Sequence, residues 1–416
     1  MKAPENHHQS SKLGLMEGTG VHMPHIIRSD EEAIEIAGQL GQEFSKEAAK
    51  RDRERLLPRK EVDLLSTSGL SGITVPREYG GADVSCVALT EVFRLLSAGD
   101  SSLGQIPQNH FFCVEALSLE GSPSQKKLFF AELLEGKRFG NALTERGGKH
   151  VFDLATKITR LPDNGGYLIN GKKFYSTGAL FADWIPVMAL DEQQRVVIAY
   201  VPRDAEGLEV IDDWSGMGQR TTASGTTVLN NVHVPEEYVV PHYRTYQRPQ
   251  YFGAHGQLMH VAIDVGIAEA ALADTREFVR TRSRYYFDTN LKSAAEDPFV
   301  VRQFGELKIY VNAARALLKL AAQAVDHAKA HTDEETTAAS SVAVAEAKQL
   351  AEWTVLKVTN DLFALSGTSA TLAEFNLDRH WRNARTHTLH DSSRWKTYAV
   401  GNYYLNDIRP NNHVLI

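Results

Sequence analysis

Tyr167-Leu168-Ile169-Asn170-Gly171-Lys172-Lys173-Phe174-Tyr175-Ser176-Thr177-Gly178-Ala179 reads as a β-strand running into a polar turn, in a chain that reads as helix on either side. Its neighbours share that texture: ATKITRL from Ala155, a turn from Pro162 to Gly166, then WIPVMAL from Trp184, RVVIAYV from Arg195 and TTVLNNVHV from Thr226. A small β-domain over 140–250 is therefore expected between two helical ones, over 29–139 and 251–416. The first begins at Ser29-Asp30-Glu31-Glu32, which has capping-box form, and is interrupted by ITVPREYGG at Ile73 to Gly81, where Pro and Gly exclude a continuous helix. In the last, Phe304, Leu307, Val311, Ala314, Leu318, Ala321 and Val325 alternate in steps of three and four, the seam of an antiparallel bundle. A further helix is expected over about 340–365, with HTDEETTAASS before it as a polar connector, while residues 1–28 read as a mobile arm. The fold class is mainly α with a small central β-domain.

Composition sets the outer limits. A chain of 416 residues exceeds what one core usually fills, so two or three domains and an enzyme are expected. The net charge of -7 argues against nucleic acid as a partner, because phosphate binding needs clustered positive surface. Cys86 and Cys113 stand far apart in apolar surroundings, which offers neither a disulfide framework nor a cysteine zinc site and fits a reducing cytoplasm. The N-terminal stretch lacks a signal-peptide core, and no apolar run is long enough to span a bilayer. A cytoplasmic protein with no membrane contact is expected.

Short motifs then carry a resemblance. Val75-Pro76-Arg77-Glu78-Tyr79-Gly80-Gly81, Asn141-Ala142-Leu143-Thr144-Glu145, Ile169 to Thr177, Gly216-Met217-Gly218-Gln219-Arg220 and Val232-His233-Val234-Pro235 resemble, in order, motifs of the acyl-CoA dehydrogenases. With the domain order, the resemblance covers nearly all of residues 30–405. It implies that fold: an N-terminal helical domain, a β-barrel-like middle domain and a C-terminal four-helix bundle.

The departures are as informative. Where the dehydrogenases place a Tyr-Glu-Gly-Thr loop carrying the base, this chain has Leu389-His390-Asp391-Ser392, after Arg382-Asn383-Ala384-Arg385-Thr386-His387-Thr388. Pro298 stands near a Gln that holds the adenine half of FAD, and Leu365-Ser366-Gly367 lacks a paired glycine. These strings, with FYSTGALFADW, RTTASGTT and Arg394-Trp395-Lys396, resemble the dibenzothiophene and methanesulfinate monooxygenase group of bacterial sulfur scavenging. The resemblance implies a two-component flavin monooxygenase that takes reduced FMN from a separate NAD(P)H-dependent reductase, and oxygen and a small organosulfur substrate such as methanesulfinate. It implies chemistry through a flavin hydroperoxide and a homotetramer with flavin near a subunit boundary. The alternatives are an acyl-CoA dehydrogenase with tight FAD and Asp391 as base, or a flavin-binding scaffold without catalysis.

The expected site residues follow from that resemblance. Asn141, Thr144, Ser176 and Thr177 flank the flavin ring, with Asn141 and Ser176 as hydrogen-bond donors; the plainer reading is strand-end residues satisfying local backbone. His390 donates or exchanges a proton with Asp391 beside it, although His387 and His390 read equally as a solvated turn. A metal pair there is disfavoured, because no third ligand has recognisable spacing. His110, in Gln108-Asn109-His110-Phe111-Phe112, faces flavin and substrate or is a satisfied core residue. Arg284, with Phe287, grips the flavin phosphate or belongs to a solvated basic face. Trp214 walls the substrate pocket or packs the core.

Overall fold

Ser29 starts the first helix: its Oγ accepts the Glu32 amide at 3.2 Å, and α1 runs Asp30–Ser45 in a computed structural model that describes residues 24–416. The other half of the capping box is not formed, because the Glu32 carboxylate accepts from the Arg28 amide at 2.7 Å and pairs with His25 at 2.6 Å. Residues 24–28 of the expected arm are packed, with Ile27 buried and the His25 amide bonded to the Thr67 carbonyl at 3.0 Å. Residues 1–23 of that arm lie outside the described residues. Helices α2 (Ala48–Glu54), α3 (Arg59–Thr67), α4 (Cys86–Gly99), α5 (Ser101–Gln105), α6 (Gln108–Glu120) and α7 (Pro123–Leu134) complete this layer. Between α3 and α4 the ITVPREYGG segment turns at Gly80, with φ 93°, and a Cβ on Gly81 would lie 2.0 Å from the Val75 carbonyl oxygen. Only glycine allows that approach.

The central sheet comprises β1 (Lys157–Arg160), β2 (Tyr167–Lys173), β3 (Trp184–Leu190), β4 (Val196–Pro202), β5 (Leu208–Ile211), β6 (Thr226–Val234) and β7 (Val239–Val240) in the order β5-β6-β2-β1-β3-β4-β7. Alternation along the strands turns Ile158, Ile169, Ile185, Val187, Ala199, Val201 and Val232 into a core of their own. Strands β5 and β7 escape the sequence reading: β5 does not alternate in burial, and the two residues of β7 are too few to show a period.

Helices α8 (Phe252–Thr281), α9 (Pro298–Ala330), α10 (Glu334–Ser366), α11 (Asp378–His387) and α12 (Ser393–Asn406) form the C-terminal layer. The α9 seam is buried as its spacing requires, with Leu307, Val311, Ala314, Leu318, Ala321 and Val325 all inward. The expected connector HTDEETTAASS is corrected: only 331–333 links α9 to α10. The Asp333 carboxylate accepts the Thr336 amide at 2.8 Å while Thr336 Oγ1 returns to the Asp333 amide, so the polar run is a capped, solvent-facing start of helix. Helix α4 packs on α8, which merges the two helical layers into one apolar core. Among the described residues no helix is long and apolar enough to cross a membrane.

Candidate functional site

Strand β2 ends at Lys173, whose ammonium is fully buried against Glu145 Oε1 at 2.7 Å. Burial pushes this lysine down to about 8. Burial would raise Glu145, but Lys173 and the amides of Ala155 and Thr156 hold it at about 2. This pair locks β2 to residues 143–145. Thr144 Oγ1 then donates to the Phe174 carbonyl and Asn141 Nδ2 to the Tyr175 carbonyl, both at 3.0 Å, while Asn141 Oδ1 accepts the Leu143 amide at 3.0 Å. Under this clamp Tyr175 takes φ 60°, a left-handed conformation costing a non-glycine residue about 1 kcal/mol or more. The strained turn delivers Ser176 inward: it is 1% exposed and its Oγ has no partner among the described residues. Thr177 Oγ1 meets Ser224 Oγ at 2.7 Å. Of the four strand-end residues, three bond to protein groups and Ser176 alone offers a free buried hydroxyl.

The 214–225 loop joins this corner to α11. Ser176 donates its amide to the Gly225 carbonyl at 3.1 Å, and Trp214 Nε1 donates to the Gln219 carbonyl at 2.8 Å. Thr386 and Asn383 accept the amides of Gly218 and Gln219 at 3.1 and 2.6 Å. The GMGQR and RNARTHTLHD motifs, more than 150 residues apart, thus meet. Half-buried Trp214 stacks its edge toward Phe174 and Tyr175, so its visible task is to pin this loop.

His390 follows α11. It is half exposed, its ring lies over that of His260 on α8 at 4.0 Å between centroids, and its Nδ1 stands 3.8 Å from Asp391 Oδ1, too long for a hydrogen bond. Asp391 itself pairs with buried Lys396 at 2.7 Å, and Lys396 also donates to the Leu415 carbonyl at 2.7 Å. Burial would raise the Asp391 carboxyl, yet His390, Lys396 and Lys348 hold it far below the usual carboxylate range. A cleft of about 520 Å³ opens beside Asp391, between Trp395, Tyr398 and Asn402 of α12 and the C-terminal residues Arg409, His413 and Ile416. His387 does not face solvent: it is buried, with Nδ1 on Asp264 Oδ1 at 2.5 Å and Nε2 on His260 Nδ1 at 3.0 Å.

The other expected residues are more scattered. His110 accepts the Phe139 amide through Nδ1 at 3.0 Å and donates Nε2 to the Ser71 carbonyl at 2.7 Å. Burial pushes it down to about 4, and with both nitrogens committed to backbone it ties α6 to the start of the β-domain. That geometry matches the satisfied-core reading. Arg284 lies exposed in the 282–293 loop after α8, beside Tyr285, Tyr286 and Phe287, the last 84% exposed. Ser283 Oγ bonds the Ser366 carbonyl at 3.0 Å, which puts this loop beside the end of α10, where Ser366 Oγ is buried without a partner among the described residues. Among the described residues no hydrogen bond or ion pair ties Arg284 to the Ser176 corner.

Sequence reasoning missed several groups. Gln105, Gln219 and Gln257 each carry a buried amide atom without a partner among the described residues, and Lys396, His260 and Asp264 complete the surroundings of His390 and His387. Gln105 ends α5 one residue before Ile106, whose carbonyl lies near Gly178 in the fold, a proximity that no sequence spacing shows. The others come from distant segments with no local pattern.

The chain matches the acyl-CoA dehydrogenase N-terminal domain over residues 34–137, the middle domain over 140–232 and the C-terminal domain over 258–395. It is 35% identical to a dibenzothiophene monooxygenase of Mycolicibacterium goodii, over 91% of this chain and 94% of that one. A probable FMNH2-dependent monooxygenase, SfnC, of Pseudomonas putida is 31% identical over 91% and 96%. The crystal structure of FMN-bound TdsC from Paenibacillus sp. A11-2 superposes with a TM-score of 0.88 at 30% identity, covering 92% of this chain and all of that one. The chain therefore belongs to the acyl-CoA dehydrogenase family, in the group that holds the dibenzothiophene monooxygenases.

Proposed function

We propose that this chain is a two-component monooxygenase that takes reduced FMN from a separate NAD(P)H-dependent reductase and inserts one oxygen atom into a small organosulfur compound such as methanesulfinate. The observation that carries the reading is a free buried hydroxyl at Ser176, aimed inward by the strained Tyr175 turn, together with a carboxylate at Asp391 that is salt-bridged to Lys396. Removing a weakly acidic proton beside a thioester needs a base whose pKa approaches the working pH. Asp391, salt-bridged to Lys396 at 2.7 Å and held below the usual carboxylate range, is poorly suited to that task. The relatives named for dibenzothiophene oxidation and FMNH2 dependence support the same choice.

The residues fit a flavin. Ser176 Oγ would donate to the ring, with Asn141 and Thr144 holding the strained turn that aims it and Thr177 bracing the 222–224 loop. Reduced flavin supplies the two electrons that oxygen needs for insertion chemistry. His390, half exposed beside Asp391, holds or moves the proton at Nδ1 or Nε2 that the reaction requires. Lys396 keeps Asp391 ionised, so Asp391 serves as a fixed negative charge near the imidazole.

Arg284 and Phe287 act on the phosphate across a subunit boundary in a homotetramer. Their exposure supports this, as does an apolar surface that one chain leaves open: Phe299, Ile309 and Leu320 on α9, Trp353 on α10, and Trp395, Tyr404 and Leu405 on α12. The test is oxygen uptake with reduced FMN across sulfinates, sulfones and thiophenes, alongside binding titrations of both flavins. Product formation with one sulfur class and tighter FMN than FAD binding are expected. Tight FAD with thioester oxidation overturns the proposal in favour of a dehydrogenase.

A further inference from the structure

The Ser176 corner backs onto an apolar void. A cavity of about 30 Å³ lies where α3, α4 and α6 meet the start of the β-domain, walled by Leu65, Val92, Leu96, Ile106, Phe111 and Phe181. A single water needs about 10 to 15 Å³ of such space, so a diatomic molecule fits.

The polar groups around it are largely committed. His110 has both ring nitrogens on backbone, Nδ1 on the Phe139 amide and Nε2 on the Ser71 carbonyl. Arg138 gives Nε to the Phe181 carbonyl and Nη1 to the Val62 carbonyl, Asp63 and Ser66. The Gly178 amide reaches the Thr222 carbonyl, and its own carbonyl accepts the Phe181 amide. The Ser71 hydroxyl and Arg138 Nη2 are left without a bond among the described residues, and both belong to half-buried residues on the solvent side. A buried water makes about three hydrogen bonds, and the aliphatic and aromatic wall supplies none. Cavities of this kind stay dry and take up apolar molecules.

The inner wall is shared with the corner proposed for the flavin. Gly178 stands two residues after Ser176, Phe139 two before Asn141, and Ile106 directly after Gln105, whose Oε1 is buried without a partner among the described residues. At Gly178 no side chain intervenes: a Cβ placed there would meet Ile106 first, its carbonyl oxygen at 3.2 Å and its Cγ2 at 3.5 Å. Gly178 and Ile106 are therefore the partition between the void and the turn that aims Ser176.

We propose that this cavity is a dioxygen-binding site that feeds the flavin corner, with the Ile106 side chain as its gate. The inference rests on the monooxygenase reading. Of the reactants in that chemistry, dioxygen alone is small, uncharged and without a strong hydrogen-bonding group, so a dry apolar void gathers it and keeps out water and a charged sulfinate alike.

Xenon is the probe, because it enters dry apolar cavities without reacting. Xenon NMR of the full chain without flavin should show saturable binding that is lost in Leu96→Phe, which fills the void. In stopped-flow mixing of the reduced-FMN complex with oxygen, the second-order rate constant should fall several-fold in that variant, with FMN affinity and KM for the sulfur substrate unchanged. Because overpacking can disturb folding, Val92→Ile, which adds one methyl group, is read alongside and should shift both signals in the same direction by less. Absence of xenon binding in the wild type, xenon binding that neither variant weakens, or an unchanged oxygen rate in a variant that has lost xenon overturns the proposal and leaves the monooxygenase reading standing. A wild type that yields no oxygenated product from any sulfur class overturns that reading, and the oxygen assignment with it, whether or not xenon binds.

Discussion

His110 and His390 are the same side chain in two opposite settings. At His110 both ring nitrogens are bonded to backbone, the ring is sealed among Phe111, Phe139 and α6, and burial holds it neutral. At His390 neither nitrogen makes a hydrogen bond to protein among the described residues, one ring face rests on His260, and the side chain is 42% exposed. A histidine with no free nitrogen can only hold the fold together; one with both nitrogens free can exchange a proton. Motif position ranks the two together, and hydrogen-bond occupancy separates them.

The contrast is broken most forcefully by exchanging the effects. His390→Ala should cut product formation by about a hundredfold to ten-thousandfold while leaving chemical denaturation unchanged. His110→Ala should do the reverse. It leaves the Phe139 amide and Ser71 carbonyl unpaired around a cavity and should cost about 3 kcal/mol or more in denaturant titrations. The pH dependence carries the same sign. Because folded His110 protonates at about 4 and the unfolded imidazole near its ordinary value, the unfolded state binds the extra proton between them. Stability contributed by the neutral ring is full above about pH 6.5 and is lost as pH falls toward 4. Replacing His110 with Gln should flatten that part of a melting-temperature profile.

Smaller effects sharpen the picture at the flavin site. Arg284→Ala should weaken reduced-FMN binding by about 1.5 to 3 kcal/mol if its exposed fork grips a phosphate in the assembly, and an unchanged dissociation constant returns it to the solvated-face reading. Ser176→Ala removes a buried hydroxyl that has no partner among the described residues. It should raise folding stability by about 1 kcal/mol while weakening flavin binding, two opposite shifts that a merely structural serine would not show.

How far the sequence could be read depends on how far apart the partners stand. The strand run around Ile169 and the α9 seam from Leu307 to Val325 declare themselves because their period is local. The capping box at Ser29 is legible as a motif, yet Glu32 prefers Arg28 and His25, a choice made by the packed 24–28 segment. Asn141 and Ser176 look equivalent as strand-end polar residues. What distinguishes them is the left-handed Tyr175 between them in space, which Asn141 secures and Ser176 depends on. The Lys348–Asp264 and Lys396–Asp391 pairs were not legible in advance. The first joins residues 84 apart, and the second crosses a helix start where spacing alone suggests no contact.

Where the consumed oxygen ends up decides between an oxygenating site and an inherited dehydrogenase frame. With reduced FMN and an accepted sulfur substrate, wild type and His110→Gln should deliver oxygen to product in equal proportion, whereas His390→Ala should still consume oxygen but release it as hydrogen peroxide. If His390→Ala keeps full coupling while His110→Gln loses it, the assignment of the two histidines is reversed and the proton chemistry proposed at His390 is wrong.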